Sequence, residues 1–214
     1  MVSPKIHKIN PHNPDPLVIQ DAAALIRKGG VMAFPTRCLY GLGADAFNPD
    51  AVNRIFEIKQ RPAKNPILIL IDDPNRLKSL VTHISEAAKA ISKRFWPGRV
   101  TLVFNASAKV PDTLTAGTGK IGIRLAGHPV AAALARAIQG PITGTSANVS
   151  GFPGCHQIED LQPTVTKQLD LILDAGPLKG GHGSTVVDVS GDIPRVLREG
   201  VVSKKDILSI RGID

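Results

Sequence analysis

Apolar positions recur along this chain at two spacings, one helical and one alternating, with short unbroken apolar runs between them. "LVIQDAAALIRKGG" (17–30) has the helical spacing: Val18, Ala22, Leu25 and Ile26 share one face, and Gly29-Gly30 stop the helix. "NPDAVNRIFEIKQRP" is better punctuated still. Asn48 suits the cap, Pro49 the first turn, and Asp50 the positive end of the dipole. Val52, Ile55 and Phe56 form its core stripe, and Pro62 ends it near Gln60 or Arg61. A third helix is predicted over 84–95, broken by Trp96-Pro97-Gly98, and a fourth over "HPVAAALARAIQG", from Pro129 to a stop at Gly140.

The short apolar runs read as strands: "VMAF" (31–34), "ILILI" (67–71), "VTLVF" (100–104) and "KIGIRL" (120–125). "PIT" (141–143) is a short strand leading into a polar turn. Towards the C-terminus, "LDLILD", "STVVDV" and "PRVLREG" alternate strand-like runs with Gly-rich turns. Late strands crowd together without intervening helices. The predicted fold class is therefore α/β, a single domain with a twisted open mixed sheet flanked by helices. Residues 1–16, rich in Pro, Asn and His, read as a surface lead-in, 17–205 as the domain, and 206–214 as a C-terminal tail.

Composition sharpens this picture. Of the 214 residues 43% are apolar but only 4% aromatic, so the core must be aliphatic. Lys plus Arg total 26 against 18 Asp plus Glu, a formal charge of +8 that suits a polyanionic partner or, equally, solubility alone. Two cysteines and six histidines without HxxxH or HExxH spacing predict neither a disulfide framework nor a structural metal. No apolar run approaches the roughly 18 residues of a membrane span. The first 16 residues lack the apolar segment of a signal peptide, so a reducing cytoplasm is expected.

Three stretches carry candidate chemistry. "KQRPAKNP" sets Lys59, Arg61 and Lys64 within six positions with no carboxylate. Lys59 and Arg61, at a fraying helix end on the rim of a sheet, suit phosphate oxygens. Complementing the C-terminal dipole of the helix explains them equally well. "PITGTSANVSG" gathers Thr143, Thr145, Ser146, Asn148 and Ser150 in one turn, more hydrogen-bonding side chains than a turn requires. "GGHGST" permits a nest of backbone N–H groups and stands before Arg198. Gly144-Thr145-Ser146-Ala147-Asn148 lacks the last glycine of a nucleophile elbow, and Gly119-Lys120 precedes Ile121, which excludes a Walker A loop.

Together, "FPTRCLYGLGADAFNPDAVNRIFEIKQRP", "IGIRLAGHPVAAALA", "PITGTSANVSGFP" and "STVVDV…VLREG" resemble the YrdC/Sua5/TsaC family, in the family's order and over about residues 15–205. The resemblance implies a YrdC-like fold with a large basic cavity, in the short single-domain form without the further C-terminal domain of long Sua5 members. It implies the synthesis of threonylcarbamoyl-AMP and pyrophosphate from L-threonine, bicarbonate and ATP, with Mg2+ carried on the ATP. A partner transferase complex then moves the threonylcarbamoyl group to adenosine 37 of tRNA. Position by position, it places Lys59 and Arg61 at the ATP phosphates as the catalytic pair. Ser146 and Asn148 are implied at phosphate or ribose, and Arg198 near ATP. Thr36, Arg124 and Ser184 are implied at threonine.

The sequence departs from the family pattern at Arg37, Lys120 and Gly154, so a paralogue with another acyl substrate stays open. So does an RNA-binding module driven by the +8 charge, although stacking aromatics are scarce. No general base stands out: His128 and His182 qualify only by default.

Overall fold

The computed structural model describes residues 3–210; residues 1–2 of the lead-in and 211–214 of the tail lie outside the described residues. In chain order the first half holds β1 (Lys5–Lys8), α1 (Pro16–Arg27), β2 (Met32–Pro35), β3 (Tyr40–Gly43), α2 (Pro49–Lys59) and β4 (Ile69–Ile71). Next come α3 (Leu77–Leu80), α4 (Glu86–Phe95), β5 (Val100–Asn105), α5 (Asp112–Thr115), β6 (Lys120–Leu125) and α6 (Pro129–Ile138). The chain then forms β7 (Ile142–Thr143), β8 (Thr145–Ser146), α7 (Pro163–Thr166), β9 (Leu171–Asp174), β10 (Thr185–Asp188), β11 (Arg195–Arg198) and α8 (Lys204–Leu208).

The punctuation residues do what their chemistry predicts. The Asn48 side chain accepts from the backbone N–H groups of Asp50 and Ala51 and caps α2. Gln60 then takes a left-handed conformation (φ 47°) that ends the helix and swings the chain toward Arg61. Gln139 ends α6 in the same way (φ 60°), one residue before the expected Gly140. The buried face of α1 is Ile19, Ala22, Ala23 and Ile26; Val18 and Leu25 flank it half-buried.

One mixed sheet was expected, and the ladders form two, ordered β1-β9-β2-β3-β8 and β11-β10-β5-β6-β4-β7. The division occurs at Gly144. Ile142 and Thr143 pair with β4, whereas Thr145 and Ser146 pair with β3, so the chain changes sheets within one residue. A Cβ at Gly144 would lie 2.7 Å from side-chain atoms of both Leu68 and Leu70, so only glycine fits this crossing without displacing its neighbours.

Residues 5–8 of the expected surface lead-in form β1, parallel to β9. Its side chains are mostly exposed, so it is an edge strand held by main-chain bonds, which apolar patterning does not reveal. The core is aliphatic as composition requires. Ile, Leu, Val and Ala from α1, α2, α4, α6 and the inner strands fill it, with Phe34, Tyr40 and Phe104 among the few buried rings. No described helix is long and apolar enough to cross a membrane.

Candidate active site

The cavity is built on the alternation of β6. Ile121 and Ile123 point into the core with no exposed surface. Lys120, Gly122 and Arg124, on the opposite face, line a cavity of about 560 Å³. Thr101 and Val103 of β5, Val186 and Asp188 of β10, and Ser184 immediately before β10 extend that floor. The segment after β2, the end of α2 and β8 close over it, bringing Thr36, Arg61 and Ser146 to the same space.

Of the eight residues singled out in the sequence, Thr36, Lys59, Arg61, Arg124, Ser146, Ser184 and Arg198 border this one cavity. Asn148 does not; its side chain is buried in the turn behind Ser146. The cavity is strongly cationic. Arg37, Lys59, Arg61, Lys120, Arg124 and Arg198 border it, against a single carboxylate, Asp188. Among the described residues only Lys120 of these six is ion-paired, with Asp188 at 2.8 Å. Guanidinium groups in such surroundings suit the planar, bidentate pairing of carboxylate or phosphate oxygens.

Arg124 and Ser184 meet on its floor. Arg124 Nη1 donates to Ser184 Oγ at 2.8 Å, and that hydroxyl also bonds Thr101 Oγ1 at 2.8 Å. Arg198 Nη2 donates to the backbone oxygen of Ser184 at 2.9 Å, so two guanidinium groups are anchored on one serine. Burial and then the charge of Arg198 bring the Arg124 pKa down to about 10. Arg61 is lowered for the same two reasons, burial first. Its Nε and Nη2 donate to the carbonyls of Asn65 (3.0 Å) and Pro66 (2.8 Å), which fixes the fork while Nη1 stays uncommitted.

Lys59 and the Ser146–Ser150 turn form one unit. Lys59 Nζ donates to the carbonyl oxygens of Ser146 (2.5 Å) and Asn148 (2.8 Å), and Ser150 N–H donates back to Lys59 O at 2.7 Å. Burial, then the nearby charge of Arg61, lowers the ammonium pKa to about 8. Cys155 also bonds into this turn, through Sγ to Ala147 O at 3.7 Å, and burial pushes its thiol up to about 11.

The departures from the family pattern find their places here. Arg37 borders the cavity half-buried and donates from Nη1 to Cys38 Sγ at 3.3 Å. Lys120 holds Asp188, which also accepts from the N–H and Oγ of Ser190. Burial alone would raise the Asp188 pKa, but those hydrogen bonds outweigh it and the net shift is downward. Gly154 packs so closely that a Cβ there would lie 2.9 Å from the Leu39 side chain. His128 borders the cavity, but its Nδ1 accepts from Val130 N–H as the cap of α6, and burial lowers its pKa to about 4. His182 is exposed.

Sequence reading did not assign Lys120, Thr101 or Arg37 to the site. For Lys120 a signal existed. The spacing of Lys120, Gly122 and Arg124 on an alternating strand puts the lysine on the arginine's face. Thr101 and Arg37 carry no such mark; only the pairing of β5 with β6 and the turn after β2 bring them in.

A family model for Sua5, YciO and YrdC, described as "Telomere recombination", matches residues 24–200. The threonylcarbamoyl-AMP synthase of Bacillus subtilis (strain 168) is 42% identical over 202 residues, which cover 92% of this chain and 57% of that protein. The chain likewise spans 57% of the length of its Pyrococcus abyssi relative. The crystal structure of P. abyssi Sua5 complexed with L-threonine has a TM-score of 0.91 at 37% identity, covering 97% of this chain and 61% of that one. That of E. coli YciO has a TM-score of 0.87 at 31% identity, covering 95% of this chain and 99% of that one.

Proposed function

We propose that this chain, which belongs to the Sua5/YciO/YrdC family, is a nucleotidyltransferase that makes L-threonylcarbamoyladenylate. Its substrates are L-threonine, bicarbonate and ATP, and pyrophosphate is the second product. The observation that carries this reading is the convergence on one hydroxyl-bearing cavity of three arginines, Arg61, Arg124 and Arg198, that have no carboxylate partner among the described residues. A relative of this fold holds L-threonine, and other relatives are named for this synthesis.

In this reading the threonine carboxylate meets Arg124, with Thr36 and Ser184 beside it. The triphosphate lies toward Arg61, Arg198 and Ser146. The threonine amine adds to carbon dioxide, supplied by bicarbonate, and loses a proton to give a carbamate. A carbamate oxygen then attacks the α-phosphorus, and the bond to the β-phosphate oxygen breaks as pyrophosphate departs. Both reactants are anions, so catalysis is alignment plus charge neutralisation, which the fixed guanidinium groups supply without reorganisation. Mg2+ enters as part of the ATP substrate. His128, engaged as the cap of α6 and with its pKa lowered by burial, is a poor general base, and carbamate formation requires none from the protein.

The product suits a partner transferase complex acting on adenosine 37 of tRNA, in the cytoplasm. An RNA-binding module has less support, because the cations converge on a cavity of about 560 Å³, sized for small molecules. A weak direct affinity for RNA would show as binding that falls steeply with salt and needs no ATP. The test of the main reading is pyrophosphate release by the purified chain, with threonine and bicarbonate each omitted in turn. Release that ignores threonine, or occurs equally with unrelated amino acids, sinks it in favour of another acyl substrate.

A further inference from the structure

We infer that Lys59 and Asn148 are positioning residues that hold the Ser146–Ser150 turn from behind, leaving Arg61 and Ser146 to meet the ligand. The inference rests on the reading of the cavity as the nucleotide site and divides the labour among four residues within it.

Lys59 and Arg61 are two apart, yet the left-handed Gln60 between them sends their side chains to different destinations. Lys59 is 2% exposed, although it is among the residues that border the cavity. Two of its three N–H bonds are committed to Ser146 O and Asn148 O. These carbonyls belong to one tight turn and converge on one point, where a compact tetrahedral ammonium fits and a planar guanidinium does not. Ser150 N–H closes the unit onto the Lys59 carbonyl. Arg61, by contrast, spends two of its five N–H donors on its own loop, and its Nη1 has no hydrogen-bond partner among the described residues while the residue lines the cavity.

Asn148 is 6% exposed and borders no part of the cavity. Its Nδ2 donates to Val149 O (2.8 Å) and Phe152 O (2.7 Å), tying the turn to the segment that follows. Gln162 Oε1 accepts from Val149 N–H at 2.8 Å and braces the same turn from α7's cap position. Ser146, half-exposed, is the one side chain of the Ser146–Asn148 pair on the cavity side.

The test is hydrogen–deuterium exchange of the full chain, read at amides 147–152, beside ATP titration. Lys59→Met is expected to speed exchange of that segment at least about tenfold, with α6 unchanged as a control for the fold, and to weaken ATP binding. Arg61→Ala should weaken ATP binding while exchange at 147–152 stays at the wild-type rate. In a double-mutant cycle, Lys59→Met with Ser146→Ala should cost no more than about twofold beyond the worse single variant, since both act through one hydroxyl. Arg61→Ala with Ser146→Ala should multiply. Asn148→Ser provides the same exchange readout should Lys59→Met not fold. If Lys59→Met weakens ATP while exchange at 147–152 is unchanged, the lysine is a direct ligand and the inference fails. Absence of threonylcarbamoyladenylate synthesis by the wild type would overturn the proposed reaction and leave the exchange result standing.

Discussion

The Arg124 guanidinium donates to the Ser184 hydroxyl at 2.8 Å, although Arg124 lies on β6 and Ser184 immediately before β10, two strands that β5 separates in the sheet. Thr101 of that intervening strand completes the link at 2.8 Å from the same hydroxyl. Ser184→Ala therefore leaves Thr101 Oγ1 and one Arg124 N–H without their partner. Threonine affinity measured by calorimetry should fall by about 1–3 kcal/mol, the cost of an unpaired buried polar group. Arg124→Ala should cost more, about 2–5 kcal/mol, because it removes a charged partner outright. Undiminished threonine binding in Arg124→Ala would remove that arginine from the substrate site.

Lys59 predicts opposite pH trends for stability and for ligand binding. Its ammonium titrates near 8 in the folded chain against an ordinary value of 10.5. Below about pH 8 both the folded and unfolded forms carry the proton. Between about 8 and 10.5 the unfolded form holds more protons, so stability rises with pH across that window, by roughly 3 kcal/mol in total. ATP affinity should instead fall as pH climbs through about 8, because the neutral amine donates more weakly to Ser146 O and Asn148 O and the cavity loses a positive charge. Chemical unfolding and ATP titration at a series of pH values, compared with Lys59→Met, read the two trends. The mutant should show neither.

The Lys120–Asp188 pair sits at the other end of the β6 face from Arg124, four residues along the strand and so roughly 13 Å away. Lys120→Thr should shift ATP affinity with little change for threonine. Stability should change by less than about 1 kcal/mol, since the lysine side chain is 41% exposed. Asp188, held below its ordinary pKa, contributes stability above the unfolded carboxylate range that is lost as pH falls through its folded value. Acid unfolding of Lys120→Thr should therefore begin at higher pH than that of the wild type.

Gly144→Ala tests the sheet crossing. The added methyl lies 2.7 Å from Leu68 Cδ1 and Leu70 Cγ, so both side chains must shift toward the cavity they line. The expected cost is about 1–3 kcal/mol, seen as a lower midpoint in thermal or denaturant unfolding. A variant as stable as the wild type would show that β4 yields at this point.

Along the chain, what was legible follows from local rules. The cap at Asn48, the first-turn proline Pro129, the buried run at 67–71 and the alternation of "KIGIRL" each report on their own neighbourhood, and each element formed close to where its pattern put it. The clustering of cations without carboxylates at Lys59 and Arg61 was equally visible, and both residues do border the cavity. Three things were not legible. Edge strand β1 has no apolar side to mark it, because its pairing with β9 is made by the main chain. The change of sheet at Gly144 depends on where Leu68 and Leu70 stand. The fates of Lys59 and Asn148, buried behind the turn, depend on which carbonyls the fold brings within reach.

The order of residues by itself thus determined the elements, the aliphatic core and the inventory of cations and hydroxyls, because periodicity, capping and composition act over a few neighbouring positions. Tertiary structure alone decided which charges face the cavity and which brace it. That choice rests on hydrogen bonds between segments as far apart as Lys59 and Ser146, whose geometry no local pattern encodes.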